Sequence, residues 1–280
     1  MLKVLLGLVY VVSFFINDRF SFFPLLGSFA AYGLFVKISK KKQTDPENGK
    51  TSWPETMGCR SGFWFVIVFI IAEFFFSYYL GLCHPEAFSF GRIEIGGFEL
   101  VNSFVVVIEL VCAAIYFIFL HKENPIRMNG KTVVFLVAIL IPFIMRDFFS
   151  VSQIILGGEE EYNSMEYIGM AYRALVLAAF TEEVVYRGMV FSELRTRFKP
   201  VPAAVIQSAI FTLVHSEMMI SLFKTFDGYA VIHILMVFMM GLLAAGMTYR
   251  TRSLWPGIIM HFALDGGVWY ILLPVIQSII

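Results

Sequence analysis

The feature that most constrains this chain is a succession of apolar runs at about 62–82, 101–120, 132–156, 165–191, 201–223, 229–249 and 254–280. Each is long enough to cross a hydrocarbon core about 30 Å thick, which takes roughly 20 helical residues. Upstream, the runs 1–16 and 20–36 are shorter and are separated only by Asn17, Asp18 and Arg19. They form either a tight hairpin of two spans or one span with an interfacial lead-in. Ile16-Asn17-Asp18-Arg19 offers no small-residue cleavage site, so the segment is expected to stay in the mature protein rather than leave as a signal peptide. Composition agrees with lipid as the solvent, since 59% of residues are hydrophobic and 15% charged, whereas soluble domains carry about a quarter charged. The expected fold class is all-α, a polytopic transmembrane helix bundle of about eight spans.

Lys and Arg concentrate in short loops on the cytoplasmic side of a membrane. Here Lys37, Lys40, Lys41, Lys42, Lys50 and Arg60 mark one such loop, followed by Lys122, Arg127 and Lys131, then Arg195, Arg197 and Lys199, then Arg250 and Arg252. The loops between them are acidic or nearly neutral, with Glu86, Glu94 and Glu99 in one and Glu159, Glu160 and Glu161 in the next. The stretch near 38–61, with Pro46, Gly49 and Pro54 among polar residues, is the one expected linker. It sits among N-terminal transmembrane helices covering 1–160, followed by a core at 161–280. No internal repeat suggests the inverted halves of a transporter. Cys59, Cys83 and Cys112 are too few and too scattered for a disulfide framework or a zinc knuckle and are expected to be free thiols. A net charge of zero provides no field to recruit nucleic acid, so none is expected as a partner. The aromatic runs Phe14-Phe15, Phe22-Phe23, Phe74-Phe75-Phe76 and Tyr78-Tyr79 are expected to face lipid and the interfaces, and Lys40–Lys42 to meet anionic headgroups.

A charge at the middle of a spanning helix costs roughly 2.5–3.5 kcal/mol on insertion scales, so each one needs a partner or a purpose. Glu73, Glu109, Arg146, Asp147, Arg173 and His233 fall in or near spans. Taken singly, each is a packing partner, an interfacial anchor or a pore-facing group. The stretch Phe180-Thr181-Glu182-Glu183-Val184-Val185-Tyr186-Arg187-Gly188 differs, because it sets two adjacent carboxylates and an arginine inside one apolar run. Glu183 and Arg187 are four apart, share a helix face and can form a charge-assisted pair. Glu182 lies about 100° around the helix, without that partner, where a carboxylate is suited to general base work or to a salt-bridge knot between helices.

Two later runs each present a histidine with an i,i+4 companion: Phe211 with His215, and His261 with Asp265. Counted inward from the basic loop ends at about 1.5 Å per residue, Glu182, His215 and His261 fall at depths of roughly 13–24 Å. Three helices thus offer polar groups at overlapping depth, and a shared cavity is expected because lipid-facing placement is heavily penalised.

These residues resemble the motifs of the CAAX protease and bacteriocin-processing (CPBP, or Abi) family, which includes type II CAAX prenyl endopeptidases. Glu182-Glu183-x-x-x-Arg187 is similar to its first motif, Phe211-x-x-x-His215 to its second and His261-x-x-x-Asp265 to its third, with Gly188 and Ser253-Leu254-Trp255-Pro256-Gly257 in supporting positions. The resemblance covers about 165–270. It implies a CPBP-type intramembrane glutamate peptidase in which Glu182 and His215 activate a water while His261 and Asp265 stabilise the tetrahedral oxyanion, with Glu183, Arg187 and Phe211 in support. The family admits Asn, Asp or Ser at the last position; its best-studied members use Asn, where this chain has Asp265. An aspartate donates only when protonated, so Asp265 is either a donor or the group that orients His261.

No cofactor and no metal are expected. There is no H-E-x-x-H, and adjacent glutamates on a regular helix cannot both face one ion without distortion. The expected partners are a peptide or membrane-protein substrate and membrane lipid, with oligomeric state left open. The expected setting is a multi-pass protein of a bacterial cell membrane, engaged in bacteriocin processing or self-immunity. The alternatives are a non-catalytic membrane binding or immunity protein and a proton-coupled transporter, although the latter's repeats and paired broken helices are not evident in the sequence.

Overall fold

The computed structural model describes residues 2–13, 22–39, 60–83, 92–95, 98–101, 103–120, 126, 128, 130–157, 164–225 and 228–277. Most of the linker expected near 38–61, together with Cys59, lies outside them. Twelve α-helices follow in order: α1 Leu2–Val12, α2 Phe22–Ser39, α3 Arg60–Cys83, α4 Phe104–Ile115, α5 Gly130–Gly157, α6 Ser164–Tyr172, α7 Ser192–Arg195, α8 Pro200–Val214, α9 Ser216–Thr225, α10 Gly228–Thr251, α11 Trp255–Leu264 and α12 Gly267–Gln277. π-helical turns extend α4 over Tyr116–Leu120 and join α6 to α7 over Arg173–Phe180 and Glu183–Phe191. The chain is an all-α membrane protein apart from one hairpin, in which β1 Ile93–Ile95 pairs antiparallel with β2 Phe98–Val101.

By length and apolarity, two of the described helices can cross a membrane, and four can if each bent pair, α8 with α9 and α11 with α12, is one span. The other runs read as spans form helices that are shorter, such as α1 and α4, or more charged. In particular, α5 holds Lys131, Arg146 and Asp147, and the α6–α7 rod holds five ionisable groups between Glu166 and Arg187. The N-terminal runs form two helices, α1 packed on α2, with Tyr10 donating to the Ala138 carbonyl of α5 at 2.6 Å. Cys83 and Cys112 are free thiols.

The core runs from Leu25 and Val66 through Tyr116 and Phe143 to Met189 and Met247, so both halves of the chain feed it. α8 and α10 meet through small residues. A Cβ on Gly241 would lie 2.9 Å from Ser208 Cβ, and the Ser208 and Thr212 hydroxyls bond back to carbonyls one turn earlier. Close backbone approach of this kind holds helices together where lipid removes the hydrophobic driving force. On α3, Trp64, Val68, Ile71, Phe75 and Tyr79 make an exposed stripe, as expected of lipid-facing aromatics. Tyr78 departs from that expectation, because its hydroxyl donates to the Leu213 carbonyl at 2.7 Å.

Candidate active site

The rod from α6 to α7 carries the first motif through its second π-helical segment. A π-turn bonds i to i+5 and therefore steps through a smaller angle per residue than an α-helix. Glu182, at the N-terminal edge of that segment, and Glu183, its first residue, both reach the same histidine of α11. Glu182 Oε2 lies 3.7 Å from His261 Nε2, and Glu183 Oε1 lies 3.3 Å from His261 Nδ1. Glu183 also pairs with Arg187, as the i,i+4 spacing predicted, at 3.0 Å and with both side chains fully buried.

Arg187 extends across the centre of the bundle. Its guanidinium stacks over the Phe211 ring at 4.3 Å and donates to Met240 Sδ of α10 at 3.3 Å. Phe211 is thus the floor of the site. Its ring also meets His215 at 4.7 Å, Tyr186 at 4.9 Å and His261 at 6.2 Å, all edge-on. Among the described residues, His215 joins the group through Phe211 rather than through a bond to either glutamate.

His215 and Asp265 each occupy a helix break, which a reading of continuous apolar runs does not anticipate. At the end of α8 the last carbonyls lose their helical partners. The Phe211 carbonyl is taken by His215 Nδ1 at 2.7 Å, the Thr212 carbonyl by His215 N–H, and the Leu213 carbonyl by Tyr78 of α3. Ser216 completes the clasp by donating to the Ser77 carbonyl. Because a carbonyl only accepts, Nδ1 carries the proton, and the nitrogen left to accept when the ring is neutral is Nε2. The second break bends α11 from α12 by 68° at Asp265 and Gly266, where Gly266 adopts φ +81°, a conformation that favours glycine. Arg146 of α5, ion-paired with Asp147, donates to the Ala263 carbonyl at 3.2 Å inside this bend. Asp265 Oδ2 stands 3.5 Å from His261 Nε2. The absence of broken helices expected from the sequence is thereby corrected: both breaks occur at motif residues, and each is held by a helix that precedes the matched motifs in the chain, α3 or α5.

Gly257 gives the segment before the third motif its physical reason. A Cβ there would lie 3.1 Å from Glu183 Cδ and closer still to Oε2, so only glycine lets α11 approach the buried carboxylate. Gly257→Ala is expected to push Glu183 away from Arg187 and His261 and to destabilise the fold by about 1–3 kcal/mol, the usual penalty of overpacking. Thermal unfolding of the purified variant measures this, and an unchanged midpoint would refute the close-packing account.

All seven motif residues lie within residues 164–267, which match the family model described as type II CAAX prenyl endopeptidase Rce1-like. This stretch is similar to an Rce1-like domain. The matched stretch spans a little over a third of the chain, and the family it is similar to is one of CAAX proteases. No curated protein and no solved structure matches the chain. Tyr186 is the residue of the matched stretch that the motif analysis passed over. It lies four residues after Glu182, packs on Phe211 and donates a short hydrogen bond to Glu73 of α3. Its i,i+4 spacing from Glu182 was the available signal.

Proposed function

We propose that the chain is a metal-independent intramembrane glutamate endopeptidase acting on a peptide or membrane-protein segment in a bacterial cell membrane. Glu182 and His215 activate a water, His261 donates to the oxyanion, and Asp265 orients His261. What supports this best is the convergence of the three motif helices around Phe211, which sets Glu182 beside His261 and packs the His215 ring against the same phenylalanine.

A water held by Glu182 and His215 loses a proton as it attacks the scissile carbonyl. Glu182 then returns that proton to the leaving amine, which balances the hydrolysis. The oxyanion requires a donor aimed where charge develops, and the imidazole N–H of His261 can supply it. The Asp265 carboxylate stands 3.5 Å from His261 Nε2, near enough to hold the ring's plane electrostatically, so the Asn-to-Asp difference is accommodated by an orienting role. Glu183 and Arg187 fix the helix that carries Glu182. Peptide maturation, as in bacteriocin processing or self-immunity, is the setting we favour.

The test compares peptide and membrane-protein termini in cells expressing wild type, Glu182→Gln or His215→Ala at matched membrane levels. The expected result is a terminus generated only by wild type, and generated equally in chelator-treated membranes. Identical termini in all three strains, with the biological phenotype still lost in the variants, would replace hydrolysis with a binding role.

A further inference from the structure

Arg146 and Asp147 are adjacent residues of α5 with opposite charges, both buried, and neither takes part in the chemistry set out above. Ionisable groups inside spanning helices are costly to place and ordinarily serve a site. The contacts of this pair show which one. α5 packs along both α11 and α12, and the pair lies where those two helices part. Arg146 bonds Asp147 through Nε at 2.5 Å and the Ala263 carbonyl through a terminal nitrogen at 3.2 Å, with its guanidinium over the Phe143 ring at 5.5 Å. Ala263 belongs to the last turn of α11. Across the break, the backbone N–H of Trp269, in the first turn of α12, faces the Asp147 carboxylate.

The signs of the two charges match the two helix ends. A helix C-terminus leaves carbonyls unbonded and carries partial negative charge, whereas an N-terminus leaves N–H groups and carries partial positive charge. The cation therefore meets the end of α11 and the anion meets the start of α12. Glycine lets the chain turn between them: Gly266 sits at φ +81°, and a side chain at Gly267 would run into the Phe262 ring. Glycine imposes no direction of its own. Direction comes from the contacts on either side, and between those two held points lies Asp265, 3.5 Å from His261 Nε2.

We propose that Arg146 and Asp147 are positioning residues for the third motif, a clamp that fixes the angle at which α12 leaves α11 and so the placing of Asp265 against the His261 ring. The effect on catalysis rests on the peptidase reading, whereas the clamp itself does not.

The test uses the full chain in phosphatidylcholine vesicles and the variant Arg146→Lys. Lysine keeps the charge, so Asp147 is not stranded, but a point donor cannot hold a carboxylate and a carbonyl together as the planar fork does. Two readouts need no substrate. Spin labels at Val201→Cys and Ile271→Cys, both exposed positions, report the distance from α8 to α12 once Cys59, Cys83 and Cys112 are replaced by serine. The ring-nitrogen resonances of His261 and His215 report the site. Arg146→Lys is expected to shift or broaden the label distance and to move the His261 resonances while those of His215 stay. It should also lower kcat for the wild-type-specific terminus by about 10²-fold with KM unchanged, as a misplacement of about 1 Å does. The exchange Arg146→Asp with Asp147→Arg keeps a buried pair but reverses the sign at each helix end, so it should show the same three changes. Wild-type behaviour of the exchanged pair would mean that the two charges only neutralise each other, and would overturn the proposal. So would an unchanged distance with unchanged His261 resonances in Arg146→Lys, or a shifted distance with unchanged kcat. Shifts in both structural readouts, together with no cleavage product from wild type, would overturn the peptidase reading alone and leave the clamp.

Discussion

Glu182→Gln is expected to lower cleavage of the chain's substrate by about 10²–10⁴-fold, the range that a positioned general base contributes, while leaving membrane insertion and thermal midpoint unchanged. The amide is nearly isosteric with the carboxylate, and the side chain is about a quarter exposed, so no buried charge is stranded by the change. The loss should appear in kcat, because the water is activated only on the way to the transition state. The measurement is the rate of formation of the wild-type-specific terminus by purified protein in lipid. A variant retaining a tenth or more of the wild-type rate would remove Glu182 from the mechanism.

Arg187→Met carries the largest expected effect on stability. Glu183 and Arg187 are both fully buried, and removing one partner leaves the other charge stranded, which costs about 3–5 kcal/mol. The stack on Phe211 and the bond to Met240 are lost at the same time. The double variant Glu183→Gln with Arg187→Met should recover most of the loss, since breaking a buried pair is worse than replacing it. Unfolding midpoints of wild type, the single variant and the double variant form the comparison. A single variant as stable as wild type would show that the pair does not hold the helix.

The helical runs and the three motifs were legible because they depend on local features: uninterrupted hydropathy and i,i+4 spacing. The spacing correctly joined Glu183 to Arg187 and placed His261 beside Asp265. It did not foresee that Glu183 also faces His261, because spacing along one helix says nothing of a partner on another, α11. The breaks at His215 and Asp265 were hidden because apolar residues continue on both sides of each. Gly266-Gly267 was the only local sign of the second break. The β1–β2 hairpin had its own signal in the alternation Ile93-Glu94-Ile95 and Phe98-Glu99-Leu100 about Gly96-Gly97, which reads simply as a loop when only charge is counted. Least legible were the contributions of Tyr78, Glu73 and Arg146, which come from remote helices and follow from no pattern within the matched segment.

Those remote contacts share a direction along the chain. Tyr78 serves Leu213, Glu73 serves Tyr186, Tyr116 serves Glu193 and Arg146 serves Ala263, so in these four contacts the helper is synthesised before the group it helps. Because chains leave the ribosome N-terminus first, the later helices enter a bilayer where hydrogen-bonding companions for their polar groups are already installed. The order of residues therefore doubles as an order of assembly, with the early helices acting as a built-in escort for segments that lipid alone would reject.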